Sequence, residues 1–145
     1  MEGQSDNFFQ QPVQPKRPQM LTILCILSFI GSGLSGFSFL MVYSSYNEVI
    51  PQLQEYAGSF PGMDLIAKAP KGMFLTGFIL YTFSFLGANL MWRLRKIGFH
   101  FYTAAQIAIL LLPVIYISDF PLPIVDGLFS ALFVILYFNH YKILN

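Results

Sequence analysis

The sequence is short of charge, of cysteine and of histidine. Charged residues make up only 10% of its 145 positions, whereas globular domains usually carry about 25%. The net charge is +1, and without a dense cluster of Lys and Arg the chain carries no sequence signal for binding nucleic acid. A single cysteine, Cys25, excludes an internal disulfide, and its thiol is expected to behave as a small hydrophobic group.

The residue patterns that carry catalysis are also missing from the sequence. No nucleophile is paired with a base, and there are no paired carboxylates, no HExxH motif and no phosphate-binding loop. The two histidines, His100 and His140, have no Cys or carboxylate alongside and are a weak signal for a metal or a haem. We therefore predict a non-enzymatic protein with no cofactor and no metal site, in which both histidines anchor helix ends at the membrane interface.

What the sequence does contain is four long stretches without charge, interrupted only by Asp126. They are residues 18–47, 72–92, 97–118 and 120–141, with 30, 21, 22 and 22 positions. A helix needs about 20 apolar residues to cross a bilayer. The sequence therefore predicts an all-α fold, an integral membrane four-helix bundle with helices at about 20–46, 72–92, 97–118 and 123–141.

The polar parts of the chain divide into a tail and one long connection. Residues 1–19 are rich in Gln and Pro and lack apolar periodicity, so we predict a disordered cytoplasmic tail ahead of a transmembrane domain at 20–145. In residues 47–71, apolar side chains recur at helical spacing between polar ones. This spacing predicts an amphipathic extracytoplasmic segment, with Pro51 in its first turn, that lies on the membrane surface or caps the bundle.

The distribution of positive charge predicts the orientation of the chain, because loops rich in Lys and Arg stay in the cytoplasm. Two basic residues, Lys68 and Lys71, fall on one side of the predicted membrane. The other side carries six, which are Lys16, Arg17, Arg93, Arg95, Lys96 and Lys142. Both termini are therefore predicted to be cytoplasmic. Aromatic residues near the predicted helix ends, among them Tyr102 and Tyr137, are expected to lie in the membrane interface.

Small residues follow one face of the first predicted helix. Ser28, Ser32 and Gly36 repeat every four residues, with Gly31 and Ser35 beside them. Small side chains at this spacing let helices approach closely, so we predict that this face packs inside the bundle or against another copy. The same glycines match a dinucleotide-binding pattern, but that motif needs a preceding strand, and here it lies in an apolar helix. A weaker counterpart in the second helix consists of Ser84 and Ala88, with Gly77 and Gly87 nearby.

Three polar residues within the apolar stretches are the candidate functional residues: Asp126, Asn89 and Gln106. An acidic residue inside a membrane helix is a functional candidate by default, but Asp126 lies near a predicted helix start, where the helix dipole also favours a carboxylate. Asn89 and Gln106 are expected to hydrogen-bond neighbouring helices. Both lie toward the inner half of the bundle, which would let them face each other, and a substrate contact is the alternative.

Part of the sequence resembles a group of known proteins. Lys16-Arg17-Pro18, followed by the apolar run 21–27 and the small residues 31–33, resembles the first helix of small bacterial four-helix membrane proteins that have no assigned activity. The aromatic run that leads to Gln106, residues 98–106, is similar to their third helix. The resemblance implies a bacterial inner-membrane location and carries over no functional residue.

The sequence favours a scaffold or accessory subunit that lies in the lipid bilayer and binds a membrane-protein partner or further copies of itself. The alternative is a small oligomeric transporter or channel, for which Asp126 is the one ionisable candidate. A third class is a membrane enzyme or haem protein that uses His100 and His140.

Overall fold

The structure, a computed structural model, describes residues 16–145 and is all-helical over this range. Most of the predicted tail therefore lies outside the described residues. The helices are α1 (Gln19–Ser44), α2 (Tyr46–Glu55), α3 (Met63–Ala67), α4 (Lys71–Trp92), α5 (Lys96–Tyr116) and α6 (Ile124–Asn139), followed by a 3₁₀ turn at Tyr141–Ile143.

Three of these helices, α1, α4 and α5, are long and apolar enough to cross a membrane. At about 1.5 Å per residue they are roughly 32 to 39 Å long, and a bilayer has a hydrocarbon core of about 30 Å. The fourth apolar helix, α6, has only 16 residues, which corresponds to about 24 Å. The bounds of these four helices lie within two residues of those that the uncharged stretches predict.

The central helix is α4, which packs closely along both α1 and α5. Its crossing with α5 depends on two glycines. A Cβ atom added to Gly87 would lie 2.7 Å from the backbone nitrogen of Tyr102, and one added to Gly98 would lie 2.6 Å from the carbonyl oxygen of Gly87. Real Cβ atoms do not approach backbone so closely, so the two backbones come this near only because neither position has a side chain.

The turn between α4 and α5 is closed by the backbone and by the end of the chain. Leu94 is left-handed, with φ 59°, and its N–H and that of Arg95 donate to the carbonyls of Met91 and Leu90, both at 2.9 Å. This pattern is a Schellman motif. The N–H of Asn145 then donates to the Leu94 carbonyl at 2.6 Å. The last described residue is thereby held at the α4–α5 turn.

The connection between α1 and α4 covers one end of the long helices. Ile50 of α2 is buried in a cluster with Met73 and Phe74 of α4, and the Tyr46 hydroxyl donates to the Ala69 carbonyl at 2.8 Å. The sequence left two arrangements open for this segment, on the membrane surface or over the end of the bundle. The apolar side of α2 packs against the ends of the long helices, which is the second arrangement.

The internal structure of this connection differs from the prediction in one respect. Pro51 is the sixth residue of α2 rather than part of its first turn. The helix accommodates it because its first hydrogen bonds, from Glu48 and Val49 to the Ser45 carbonyl, lie before the proline. A second short helix, α3, follows Gly62, whose φ of 85° suits glycine.

Cations lie over aromatic rings at both ends of the long helices, where a membrane protein meets the lipid headgroups. At one end of α4, the guanidinium of Arg17 lies 4.1 Å from the ring centre of Trp92. At the other end, the ammonium of Lys71 lies 4.8 Å from the ring centre of Tyr43.

Candidate functional site

The candidate site lies where α6 meets the other helices. In contrast to α4, α6 packs only lightly, against α5 and α1, and Tyr137 is its one buried residue. Three of its polar residues, Asp126, Ser130 and Tyr137, stand four and seven residues apart and share a face. Tyr137 is buried, Ser130 is half-buried and Asp126 is exposed. Two hydrogen-bonded clusters and two cavities lie along this face.

The first cluster joins α1, α5 and α6 through Ser28. The Ser28 hydroxyl donates to the Tyr102 oxygen at 3.3 Å and lies 2.8 Å from the Tyr137 oxygen. The two tyrosine rings meet edge to face, with centroids 5.1 Å apart. Tyr137 is 0% exposed and Tyr102 is 3% exposed. The prediction that both lie in the membrane interface is therefore wrong, because Ser28 provides a hydrogen-bond partner inside the protein for both hydroxyls.

The second cluster joins α4, α5 and α6 through Gln106. Its Nε2 donates to the Ser84 hydroxyl at 3.2 Å, and its Oε1 accepts from the Ser130 hydroxyl at 3.1 Å. The two ends of the amide thus bond to side chains of two different helices. Through Gln106, this cluster links the middle of α6 to α5 and α4.

Asn89 does not take part in the Gln106 cluster, although the sequence suggested that the two amides face each other. It lies five residues beyond Ser84 on α4, which rotates it by about 140° around the helix axis. Asn89 instead lines a separate cavity together with Phe83 and Arg93. The two candidate amides are therefore not brought together.

A cavity of about 460 Å³ lies between α4, α5 and α6. Four polar residues line it, Tyr81, Gln106, Asp126 and Ser130, and the rest of the wall is apolar and includes four phenylalanines. Among the described residues, no Lys or Arg belongs to this wall. Asp126 belongs to the first turn of α6, as the sequence suggested, and it also lines the cavity.

A second cavity of about 190 Å³ adjoins the first, and the two share Tyr81, Gln106 and Ser130 as lining residues. Its other wall is the small-residue face of α1, which contributes Ser28, Gly31, Ser32 and Ser35.

The small-residue face itself is divided between packing and open space. Ser28, Ser32 and Gly36 are buried within the protein, and a Cβ atom on Gly36 would lie 3.3 Å from the Cβ of Tyr81. A Cβ atom on Gly31 would meet nothing within 4 Å. Part of the predicted face therefore packs within the chain, and part borders a cavity.

Five residues of the site were not singled out as functional candidates from the sequence: Tyr81, Ser84, Tyr102, Ser130 and Tyr137. A single hydroxyl in an apolar stretch carries little information, because its direction depends on how the helix is rotated. The available signal was the spacing of Asp126, Ser130 and Tyr137, which places three polar groups on one face of α6.

The polar groups of the site are hydrogen-bonding groups and one carboxyl group. Within residues 16–145, no group of three or more His, Cys, Asp or Glu side chains is placed to hold a metal ion. His100 is exposed on α5, and Nδ1 of His140 lies 2.8 Å from the Leu136 carbonyl oxygen. The site offers hydroxyls, one amide and one carboxylate beside aromatic rings, which suits a ligand with a polar head and an apolar body.

The whole chain matches no protein-family model, no curated protein and no solved structure. The geometry of α6 and its cavities therefore carries the functional argument.

Proposed function

We propose that this chain is a multi-pass protein of the bacterial inner membrane that acts as a non-enzymatic accessory subunit or scaffold. It binds a membrane-protein partner through the outward face of α6. The observation that carries this proposal is that α6 is both the shortest of the four apolar helices and the one that packs least closely against the others.

The packing of the two ends of the described range supports a four-span topology as part of this proposal. Leu21, at the start of α1, and Leu144, after α6, belong to the same buried cluster. Two chain ends on one side of a membrane require an even number of crossings, so α6 acts as the fourth span beside α1, α4 and α5. The six basic residues near this end support a cytoplasmic location for it.

The short length of α6 favours its association with a partner helix. At about 24 Å, α6 falls short of a hydrocarbon core of about 30 Å, and such mismatch is relieved by local thinning of the bilayer or by association with other helices. Its outward face is continuous and apolar, with Leu128, Leu132 and Ile135 exposed at helical spacing. A second helix against this face would shield the thinned region from lipid.

Site-specific photo-crosslinking tests this function in the native membrane. A benzophenone amino acid is placed at Leu132 on α6 or, as the matched control, at Ile30 on α1, which is equally apolar and exposed. We expect one heteromeric adduct of constant mass from position 132 and none from position 30. Adducts only to lipid, or the same adducts from both positions, would count against an accessory role.

A small transporter is the second candidate function, and one observation favours it. Asp126 is the sole acidic residue of the described apolar helices, and it lines the larger cavity. Coupled transport uses ionisable groups that line cavities between helices, usually near the bilayer midplane, whereas Asp126 lies in the first turn of α6. An adduct between two copies of this chain from position 132, with no other partner, would favour the transporter over the accessory subunit.

A further inference from the structure

We propose that the cavity of about 460 Å³ between α4, α5 and α6 binds a lipophilic organic cation, whose positive group lies against the Asp126 carboxylate. This proposal goes beyond the accessory role and does not depend on it. It rests on the charge, the wall chemistry and the size of the cavity.

The charge of the cavity is unbalanced. Asp126 contributes a carboxylate, and the other polar lining residues, Tyr81, Gln106 and Ser130, are neutral. The wall contains no basic residue among those that the structure describes. Asp126 is exposed at the cavity, and its carboxylate attracts a positive group that a ligand brings within a few ångströms of it. The wall therefore selects for a cation and against an anion.

The apolar part of the wall also suits a cation. Aromatic rings from four elements line the cavity, including Phe74 of α4, Phe120 of the α5–α6 connection and Phe129 of α6. The faces of such rings carry partial negative charge and attract ammonium and phosphonium groups. They also accept the hydrocarbon groups of the same ligand. A small inorganic cation has no hydrocarbon groups to place against this apolar wall.

The dimensions agree with a small organic ligand. Ligand pockets usually enclose about 300 to 1,000 Å³, and this cavity falls within that range. Asp126 stands at the start of α6, one turn before Ser130, which bonds to Gln106. The positive group therefore lies toward the α5–α6 connection and the apolar body extends toward the Gln106 cluster.

Binding of tetraphenylphosphonium tests the proposal. The full chain is placed in nanodiscs of phosphatidylcholine, a lipid without net charge, and Kd is measured by equilibrium dialysis against empty nanodiscs. Triphenylphosphine oxide, a neutral molecule with similar rings, is measured in parallel. We expect the cation to bind the protein and Asp126→Asn to weaken its binding by about tenfold, because this substitution removes the negative charge of the described cavity wall.

The matched control is Asp119→Asn. Asp119 is an exposed acidic residue of the connection between α5 and α6. It is not one of the described residues that line the cavity. We expect this variant to bind the cation as the native chain does. Equal losses in both variants would show general attraction of the cation to negative charge and would overturn the proposal.

Two further results would also overturn it. One is unchanged cation binding by Asp126→Asn in a variant whose helical content and melting temperature match the native chain. The other is equal affinity for the neutral probe, which identifies an apolar cavity for uncharged molecules. If Asp126→Asn does not fold, Ile109→Trp replaces it, because it fills the cavity while keeping the carboxylate. Retained cation binding by Ile109→Trp would exclude this cavity.

Discussion

Gly98 of α5 faces Gly87 of α4 so closely that a Cβ atom on Gly98 would lie 2.6 Å from the Gly87 carbonyl oxygen. The same atom would lie 2.7 Å from the backbone nitrogen of Met91. Both neighbours are backbone atoms of a helix and cannot rotate away. The contact therefore sets the distance between α4 and α5, on which the position of Gln106 and of the larger cavity depends.

The first prediction is that Gly98→Ala lowers the free energy of unfolding by about 1 to 3 kcal/mol, because the added methyl group forces two backbones apart. Unfolding by SDS titration in mixed micelles, followed by circular dichroism, measures the change. Gly31→Ala is the control, since a Cβ atom there meets nothing within 4 Å. Alanine forms helix better than glycine by about 1 kcal/mol, so Gly31→Ala should be neutral or stabilising. Equal effects of the two substitutions would contradict this account of the crossing.

The second prediction concerns the Ser28 cluster. Tyr137→Phe removes one hydroxyl from the protein interior without changing its shape, and we expect a loss of about 0.6 to 2 kcal/mol, as for other hydrogen bonds between membrane helices. Tyr56→Phe, at an exposed tyrosine of the α2–α3 connection, should change little. In a double-mutant cycle, Ser28→Ala should reduce the effect of Tyr137→Phe, because the two residues share the bond. Additive effects would mean that the bond does not contribute to stability.

The third prediction separates the two amides that the sequence singled out. Gln106→Leu removes the polar connection between α4, α5 and α6, so we expect stability to fall by about 1 to 2 kcal/mol. Asn89→Leu is the matched substitution at an amide that lines a peripheral cavity, and it should cost less than about 0.5 kcal/mol. The same SDS titration applies to both. A larger effect at Asn89 would reverse the assignment of the central amide.

These amides show where inference from the sequence ends. The four apolar helices follow from the length of uncharged chain, because the cost of leaving a charge or an open backbone in lipid is large. The rotation of each helix does not follow, because apolar side chains surround α1 and α4 almost evenly. No apolar stripe then identifies the inner face, so whether Ser84 or Asn89 meets Gln106 is decided by packing.

The tyrosines were misassigned for a related reason. A tyrosine about one turn or more inside a helix end has the same sequence signature whether its hydroxyl reaches the lipid headgroups or a partner within the protein. For Tyr102 and Tyr137 that partner is Ser28, which lies 74 and 109 residues away in sequence. The pairing depends on which helices are neighbours, and the sequence alone does not provide that information.

The fourth prediction tests the four-span topology with single cysteines. Cys25 is buried and should not react, so a cysteine at an exposed position reports its own side of the membrane. We expect Glu55→Cys in α2 to react with a membrane-impermeant maleimide added to intact spheroplasts, and Lys142→Cys to react only after the membrane is permeabilised. Mass spectrometry of the purified protein gives the extent of labelling.

The two cysteines distinguish the ways in which this topology can fail. Because α2 covers one end of the long helices and Lys142 follows α6, both positions can lie on one side only if α6 does not cross the membrane. Labelling of both before permeabilisation would therefore exclude α6 as a fourth span. Labelling of Lys142→Cys alone would keep the four spans and reverse the orientation, so that the six basic residues would lie outside, against the usual charge bias. Only labelling of Glu55→Cys alone agrees with both the charge distribution and the shared cluster of Leu21 and Leu144.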